Sequence, residues 1–414
     1  MKAIACLALA ALLAGCGGGP ILANPPAQRT VPTPPPKASP VVVADPQPVE
    51  FPRDDAPHDR LTEWWYYTGH LRDAVGRNWG FEFVIFRAER GRFPVTWASH
   101  LALTDEAGGR FTYAQRSEIG PQVDRSPADG FDFTLAGGGP TPWAMRGHDG
   151  VDQLNAQAEA SETAGDPASV GLHLALQAET GPALHDGDGW IDFGAAGSSY
   201  YYSRTRMAAT GTLEVDGDTL DVTGMAWFDH QWGDFIALGA GGWDWFAVNL
   251  EDGTDLMLSL IRDRDGSYPL VYGMLVEPDG GFRHLPREGF SVEVTARWTS
   301  PETGAEYPAG WRIELPGEAL AIDLAPTVAH QELDTRPTTG VVYWEGSQVV
   351  RATRNGQPLG GEAYVELTGY GAGESSTGSS GGSTTSASTA STRAWASRLA
   401  SCARTDSMSC AAAR

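Results

Sequence analysis

The sequence predicts an all-β protein made of two packed antiparallel β-barrels, and three observations lead there. Hydrophobicity alternates with period two: Phe290 to Trp298 switches between apolar and polar without a break, and Val170 to Gln177 nearly does the same. That is the pattern of half-buried strands. Asp-Gly pairs at Asp216-Gly217, Asp252-Gly253, Asp265-Gly266 and Asp279-Gly280 separate such runs, and each favours a tight hairpin because Gly accepts positive φ. No apolar stripe of helical spacing exceeds about two turns. Closing meandering strands into barrels removes exposed edges and leaves an interior for a small ligand. At 414 residues the chain exceeds what one core serves, so two barrels are expected.

The elements follow in order. Residues 1–16 hold one basic residue, Lys2, and then an apolar stretch too short to cross a bilayer as a helix, which reads as a secretory signal. Its end, Leu13-Ala14-Gly15-Cys16, looks like a bacterial lipobox, with Cys16 as the lipidated first residue of the mature chain. Gly17 in place of Asp favours the outer membrane of a Gram-negative cell, facing the periplasm. Residues 17–50 are a Pro-rich tether, extended by the fixed φ of proline. The two barrels are expected at 51–236 and 237–371, with the seam between Asp234 and Gly241, where Gly239-Ala240-Gly241-Gly242 loosens the chain. Residues 372–414 turn abruptly to Ser, Thr, Gly and Ala, too polar to fold. So sharp a change fits either a disordered tail or a shifted reading frame.

Composition excludes several classes. The formal net charge of -23 argues against nucleic acid, which needs clustered Lys and Arg. Of the 4 Cys, two lie in the signal and two, Cys402 and Cys410, in the tail. The folded body therefore has no disulfide framework, thiol nucleophile or Cys-ligated metal. No Gly-x-Ser-x-Gly elbow appears between a strand and a helix, and no nucleotide-binding Gly-rich turn appears in a β–α setting.

Chemistry is expected where ionisable residues sit among aromatics. Glu63 precedes Trp64, Trp65, Tyr66 and Tyr67, with His58 and His70 at the ends of the run. In a strand Trp64, Tyr66 and Thr68 share one face, and Glu63, Trp65 and Tyr67 the other. Asp229 and His230 lie between Phe228 and Trp232, and Trp243, Asp244, Trp245 and Phe246 follow. A buried Asp229 stays neutral unless His230 is charged beside it, so the pair could trade a proton. The same residues also suit a structural junction, with Asp229 capping a turn and His230 bonding backbone. Glu82 and His100 are polar residues inside apolar strands. A metal would recruit some of His58, His70, His100 and His230, but no two have a ligand-pair spacing such as His-Glu-x-x-His, so no metal is expected.

The segments Glu63-Trp64-Trp65-Tyr66 with Gly69-His70, Gly80-Phe81-Glu82, Ser199 to Ser203, Trp227 to Gly233, Gly242 to Phe246 and Tyr343-Trp344-Glu345-Gly346, in this order, resemble the lipocalin-like carotenoid 1,2-hydratase and AttH-like family. The resemblance covers about His58 to Tyr370. It implies two lipocalin-like barrels, a ligand cavity and no cofactor. His230 and Trp232 match the hydratases' His-x-Trp motif, with Asp229 beside them. Hydratases of the family protonate a terminal isoprenoid alkene to a tertiary cation that water captures, and they use a second-barrel acid, here expected on the Asp255 to Leu260 strand. Exported lipoproteins of the family look like companions of ABC-type transport systems.

The expected protein is thus an exported, lipid-anchored one that binds an apolar lipid- or isoprenoid-like molecule, anchored to the membrane through Cys16 and partnered by ABC-type transport components. Asp229, His230 and Trp232 form the expected catalytic set, and Glu63, Trp65, Tyr66, His70, Glu82, Trp243 and Trp245 the expected ligand-binding set. The alternative is a cofactor-independent hydro-lyase, with Asp229 as proton donor. A third reading makes the clusters a plug between barrels.

Overall fold

The computed structural model describes residues 44–235, 241–263 and 265–371. The signal with Cys16, nearly all of the tether, and the tail from residue 372 lie outside them. Residues 44–47 are exposed and carry no strand or helix.

From Pro48 onward the described residues contain two antiparallel sheets and only short 3-10 turns between strands. Along its main path the first sheet runs Phe131–Leu135, Trp143–His148, Val151–Ala158, Val170–Ala178, Ser198–Val215, Asp218–Gly233, Thr62–Asp73, Asn78–Ala88, Thr96–Asp105, Arg110–Ile119 and Thr163–Gly165. It curls until Asp124, which follows the Arg110–Ile119 strand, bridges Phe133 in the end strand Phe131–Leu135. The second sheet runs Phe282–Leu285, Leu270–Val276, Asp255–Ile261, Trp243–Leu250, Gly361–Thr368, Val342–Arg354, Leu320–Pro326, Glu306–Leu315 and Ser291–Thr299. This is the expected all-β, lipocalin-like architecture.

The four Asp-Gly pairs all fall between paired strands. Asp216 and Gly217, at φ 51° and 89°, join Val215 to its partner Asp218, the double positive φ of a two-residue hairpin turn. Asp149-Gly150 and Asn355-Gly356 turn the chain the same way between His148 and Val151 and between Arg354 and Gln357.

Burial departs from simple alternation. Inward-facing Trp65, Phe83, Trp97, Phe133, Trp143 and Phe228 fill the first barrel, and Phe246, Leu258, Trp311 and Trp344 the second. The outward faces of the central strands are buried as well, because the sheets pack on each other through Tyr66, Val84, Trp227, Trp245, Met257 and Tyr364. So Thr62–Asp73 is buried almost throughout. The packing is close at Gly80, where a Cβ would stand 2.6 Å from the Tyr364 hydroxyl and 2.8 Å from Ser347 Cβ. By contrast the Ser291–Thr299 strand, expected to be half buried, is mostly exposed, with Val292 and Trp298 partly covered. It is an edge strand with an irregular register between Val294 and Arg297, so it drifts off the core that its alternation was expected to meet.

A short turn at Arg53–Asp55 lies against the first barrel. Asp55 receives the Tyr202 hydroxyl at 2.6 Å, Arg204 at 2.9 and 3.1 Å, and the Asp149 N–H at 2.8 Å. All of these groups except the Asp149 turn are buried. Removing one member of such a pair strands the other charge away from water. Asp55→Ala is therefore expected to destabilise the fold by about 3–5 kcal/mol in denaturant unfolding; a loss below about 1 kcal/mol would show that the pair is not what holds this turn.

Candidate functional site

Between the two sheets lies an aromatic cleft. Trp64, Tyr66 and Phe86 of the first sheet and Trp243, Trp245 and Tyr272 of the second form its walls, and Glu82, Asp229, Gln231 and Glu366 face into it. It encloses about 630 Å³ of atom-free space, counting the part continuous with solvent, but a water's centre can move through only about 60 Å³ of it. The cleft is a slot that suits a flat or slender apolar group.

The strands explain who faces it. Antiparallel register sets Tyr66 opposite Asp229 and Trp65 opposite His230. Since neighbours along a strand point to opposite sides, Tyr66, Trp227, Asp229 and Gln231 look outward to the second sheet, whereas Glu63, Trp65, Phe228, His230 and Trp232 look into the first barrel.

Three buried carboxyl groups, of Asp229, Glu82 and Glu345, and the half-buried one of Glu366 meet around the cleft, and none is hydrogen-bonded or ion-paired to Lys, Arg or His among the described residues. Asp229 accepts from Tyr201, from Ser203 and from Trp227 Nε1 at 2.7 Å. Glu345 accepts the Tyr66 hydroxyl at 2.7 Å and Glu82 the Tyr343 hydroxyl at 2.8 Å. Glu366, directly across the ladder from Glu345, accepts Trp243 Nε1 at 2.9 Å. Burial disfavours the charged form more than these neutral donors favour it. It lifts Asp229 to about 7, Glu82 to about 8 and Glu366 to about 7, and Glu345 well above the usual range, with mutual repulsion adding to the rise in the three Glu. Glu82 Oε2 and Glu345 Oε2 have no hydrogen-bond partner. Behind Asp229, His185 Nε2 lies 2.7 Å from Ser203 Oγ, and its ring stacks on Tyr201 at 3.6 Å. Burial pushes His185 down to about 3, so it is neutral and orients Ser203 without adding charge.

Five of the expected residues therefore line the cleft: Asp229, Tyr66, Glu82, Trp243 and Trp245. The others do not. His230 and Trp232, expected beside Asp229, lie on the opposite face of its strand, so Asp229 and His230 cannot exchange a proton directly. Glu63 and Trp65 are with them inside the first barrel. His70 lies in a separate polar groove, 3.0 Å from the Ala363 carbonyl and 3.5 Å from Glu106. Asp255, on the strand expected to supply the second-barrel acid, is paired with Arg206 and Thr205 away from the cleft; that strand contributes Ser259 and Ile261 instead. The acids that the second sheet does supply are Glu345 and Glu366, and of these Glu345 stands in the Tyr-Trp-Glu-Gly stretch. Glu366 carries no local signal that separates it from a solvent-facing strand residue.

Inside the first barrel the misplaced group forms its own constellation. His58 Nδ1 lies 2.8 Å and His230 Nε2 2.9 Å from Glu63 Oε1. The three residues offer ligand atoms within 4.8 Å of one another, a juxtaposition with no counterpart in their sequence spacing. Hydrogen bonds from both imidazoles hold Glu63 below the usual carboxylate range despite its burial.

The chain compares with known proteins as follows. The model of the AttH-like family matches residues 42–370. A Nitrosomonas europaea protein assigned as AttH, solved by crystallography, is 32% identical, with 80% of this chain covering 99% of that one at a TM-score of 0.69. Kievitone hydratase from Nectria haematococca is 15% identical and shares the fold, with 78% of this chain covering 93% of that one at a TM-score of 0.60. No curated protein sequence matches. Match length and sequence identity agree with the two-sheet architecture: the chain belongs to the AttH-like family.

Proposed function

We propose that the protein adds water to a carbon–carbon double bond of a neutral, apolar, isoprenoid- or lipid-like molecule, by acid catalysis in the aromatic cleft. One observation carries this reading: carboxyl groups that have only neutral hydrogen-bond donors and no counter-charge surround a slot walled by Trp and Tyr. A carboxyl so placed holds its proton near neutral pH. It is an acid ready to protonate an alkene, and the surrounding π faces suit the cation that results. A hydratase of the same fold makes water addition the first chemistry to test.

In this mechanism the O–H bond of Asp229 breaks as a C–H bond forms at the less substituted alkene carbon. Tyr201, Ser203 and Trp227, already donating to Asp229, stabilise the carboxylate left behind. Trp245, Trp243 and Tyr66 face the tertiary cation. Water held near Gln231 and Ser259 attacks it, and the water's surplus proton returns to Asp229. The sum is addition of one water with the protein unchanged. Glu82 and Glu345 hold their protons at neutral pH and Glu366 holds its own below about 7, which limits the charge an apolar substrate must desolvate in the slot. The lipobox ending at Cys16 supports a setting in the cell envelope, with the protein anchored by lipid.

Incubation of terminal isoprenoid alkenes in heavy-oxygen water is expected to yield labelled tertiary alcohol, and Asp229→Asn to lower the rate by about 10²–10⁴-fold. Apolar ligand that co-purifies, with no label entering any polyene tested, would leave binding without hydration as the function.

Protonated burial also predicts a pH effect on stability. Glu82 at about 8 and Glu366 at about 7, against an ordinary value of 4.5, bind more protons folded than unfolded. Their contribution is complete below the unfolded value and is lost as pH rises through the folded one. The Tm is expected to fall as pH rises from about 5 to about 8, and the Glu82→Gln, Glu366→Gln double variant to flatten that slope. His58, whose hydrogen bonds to Asp54 and Glu63 outweigh burial and raise it, contributes the same sign, so some slope persists. A wild-type Tm that rises across this window would contradict protonated burial.

A further inference from the structure

We infer that His58, Glu63 and His230 bind one divalent transition-metal ion of the zinc type at the mouth of the first barrel, apart from the cleft. Two imidazoles and a carboxylate are a ligand set that suits zinc and leaves a fourth position for water. Nδ1 of His58 and Nε2 of His230 both converge on Glu63 Oε1, at 2.8 and 2.9 Å. With metal–ligand bonds of about 2.0–2.2 Å, tetrahedral geometry sets ligand atoms roughly 3.3 Å apart. Glu63 Oε1 would withdraw by about half an ångström from each nitrogen, and the three ligand atoms, all within 4.8 Å of one another, would settle to that spacing to turn the hydrogen-bonded cluster into a coordinated one.

The outer contacts point the same way. A metal-bound imidazole characteristically gives its other N–H to a carboxylate or similar acceptor. His58 Nε2 lies 3.5 Å from Asp54 Oδ1, and His230 Nδ1 lies 3.4 Å from the Tyr202 hydroxyl. That hydroxyl already donates its proton to Asp55 at 2.6 Å, so towards His230 it can only accept. A neutral His230 has one N–H and faces two acceptors, Glu63 and Tyr202. A cation on Nε2 resolves the conflict: it takes the lone pair facing Glu63 and leaves Nδ1–H for Tyr202. In the same way, metal on His58 Nδ1 leaves Nε2–H for Asp54. The rings are also fixed in place, His58 stacked on Trp232 at 4.1 Å and 3°, and His230 on Trp65 at 4.6 Å. Such an ion would tie the turn before the first strand to two strands of the sheet.

The test uses the full chain, stripped with chelator and titrated with Zn²⁺ by calorimetry, and with Co²⁺ by absorption. The expected result is about one tight equivalent and the visible bands of four-coordinate cobalt with N and O ligands. His58→Ala is expected to abolish tight binding. His58 is partly exposed on a turn, and circular dichroism checks that the variant folds. Asp54→Asn, which leaves all three ligands, is expected to weaken binding by about 10–100-fold, whereas His148→Ala, at an exposed ion pair elsewhere, changes nothing. Failure of the wild-type chain to bind Zn²⁺ tightly overturns the inference, as does unchanged binding in His58→Ala. A thiolate-to-cobalt band in the near ultraviolet would place the metal on cysteine and overturn it as well.

Discussion

The antiparallel ladder between Thr62–Asp73 and Asp218–Gly233 is the constraint on which the rest depends. Both strands are central, Thr62–Asp73 and residues 226–233 of its partner are buried on two sides, and their register sets Trp65 against His230 and Tyr66 against Asp229. Side chains change face at every residue, so the ladder sorts one crowded polar and aromatic stretch into two separate environments. One environment faces the second sheet and holds acids without counter-charge. The other faces the first barrel and holds imidazoles gathered on a carboxylate. A slip of one residue would exchange the two sets and leave each facing partners of the wrong kind.

Buried acids come at an energetic cost, and the structure meets it in two different ways. Glu63, in the first barrel, has two imidazole rings close by. Asp229, Glu82, Glu345 and Glu366 have hydroxyl or indole donors alone. Pairing keeps a group ionised, while burial among neutral donors keeps it protonated. Carboxyls on neighbouring strand faces thus take opposite charge states, which is why the cleft can be acidic in composition and still suit an apolar guest.

Much of the fold was legible in the sequence, because its signals are local. Asp-Gly pairs placed hairpins, and alternation marked strands such as Val170–Ala178. The parity of Trp64 to Tyr67 also separated the two faces of the first strand correctly. What parity could not tell was which face meets a ligand, since both faces are buried and each mixes aromatic with ionisable residues. Adjacency misled in the same way: Asp229 and His230 touch in sequence and part in space. Glu63 and His230, 167 positions apart, meet. Glu366 looks like any strand glutamate until the second sheet is folded against the first. The alternation of Ser291–Thr299 was read as half burial because a pattern says which residues share a side, not whether anything lies beneath them.

That same Ser291–Thr299 strand leaves one row of backbone amides and carbonyls free to recruit a further strand. Glu293 and Arg297 stand exposed along it, and the irregular step between Val294 and Arg297 bends its line. Charge and curvature together make a poor template for stacking. The charges and the bend at this rim thus guard one open edge against intermolecular pairing, and losing them would expose the edge to aggregation.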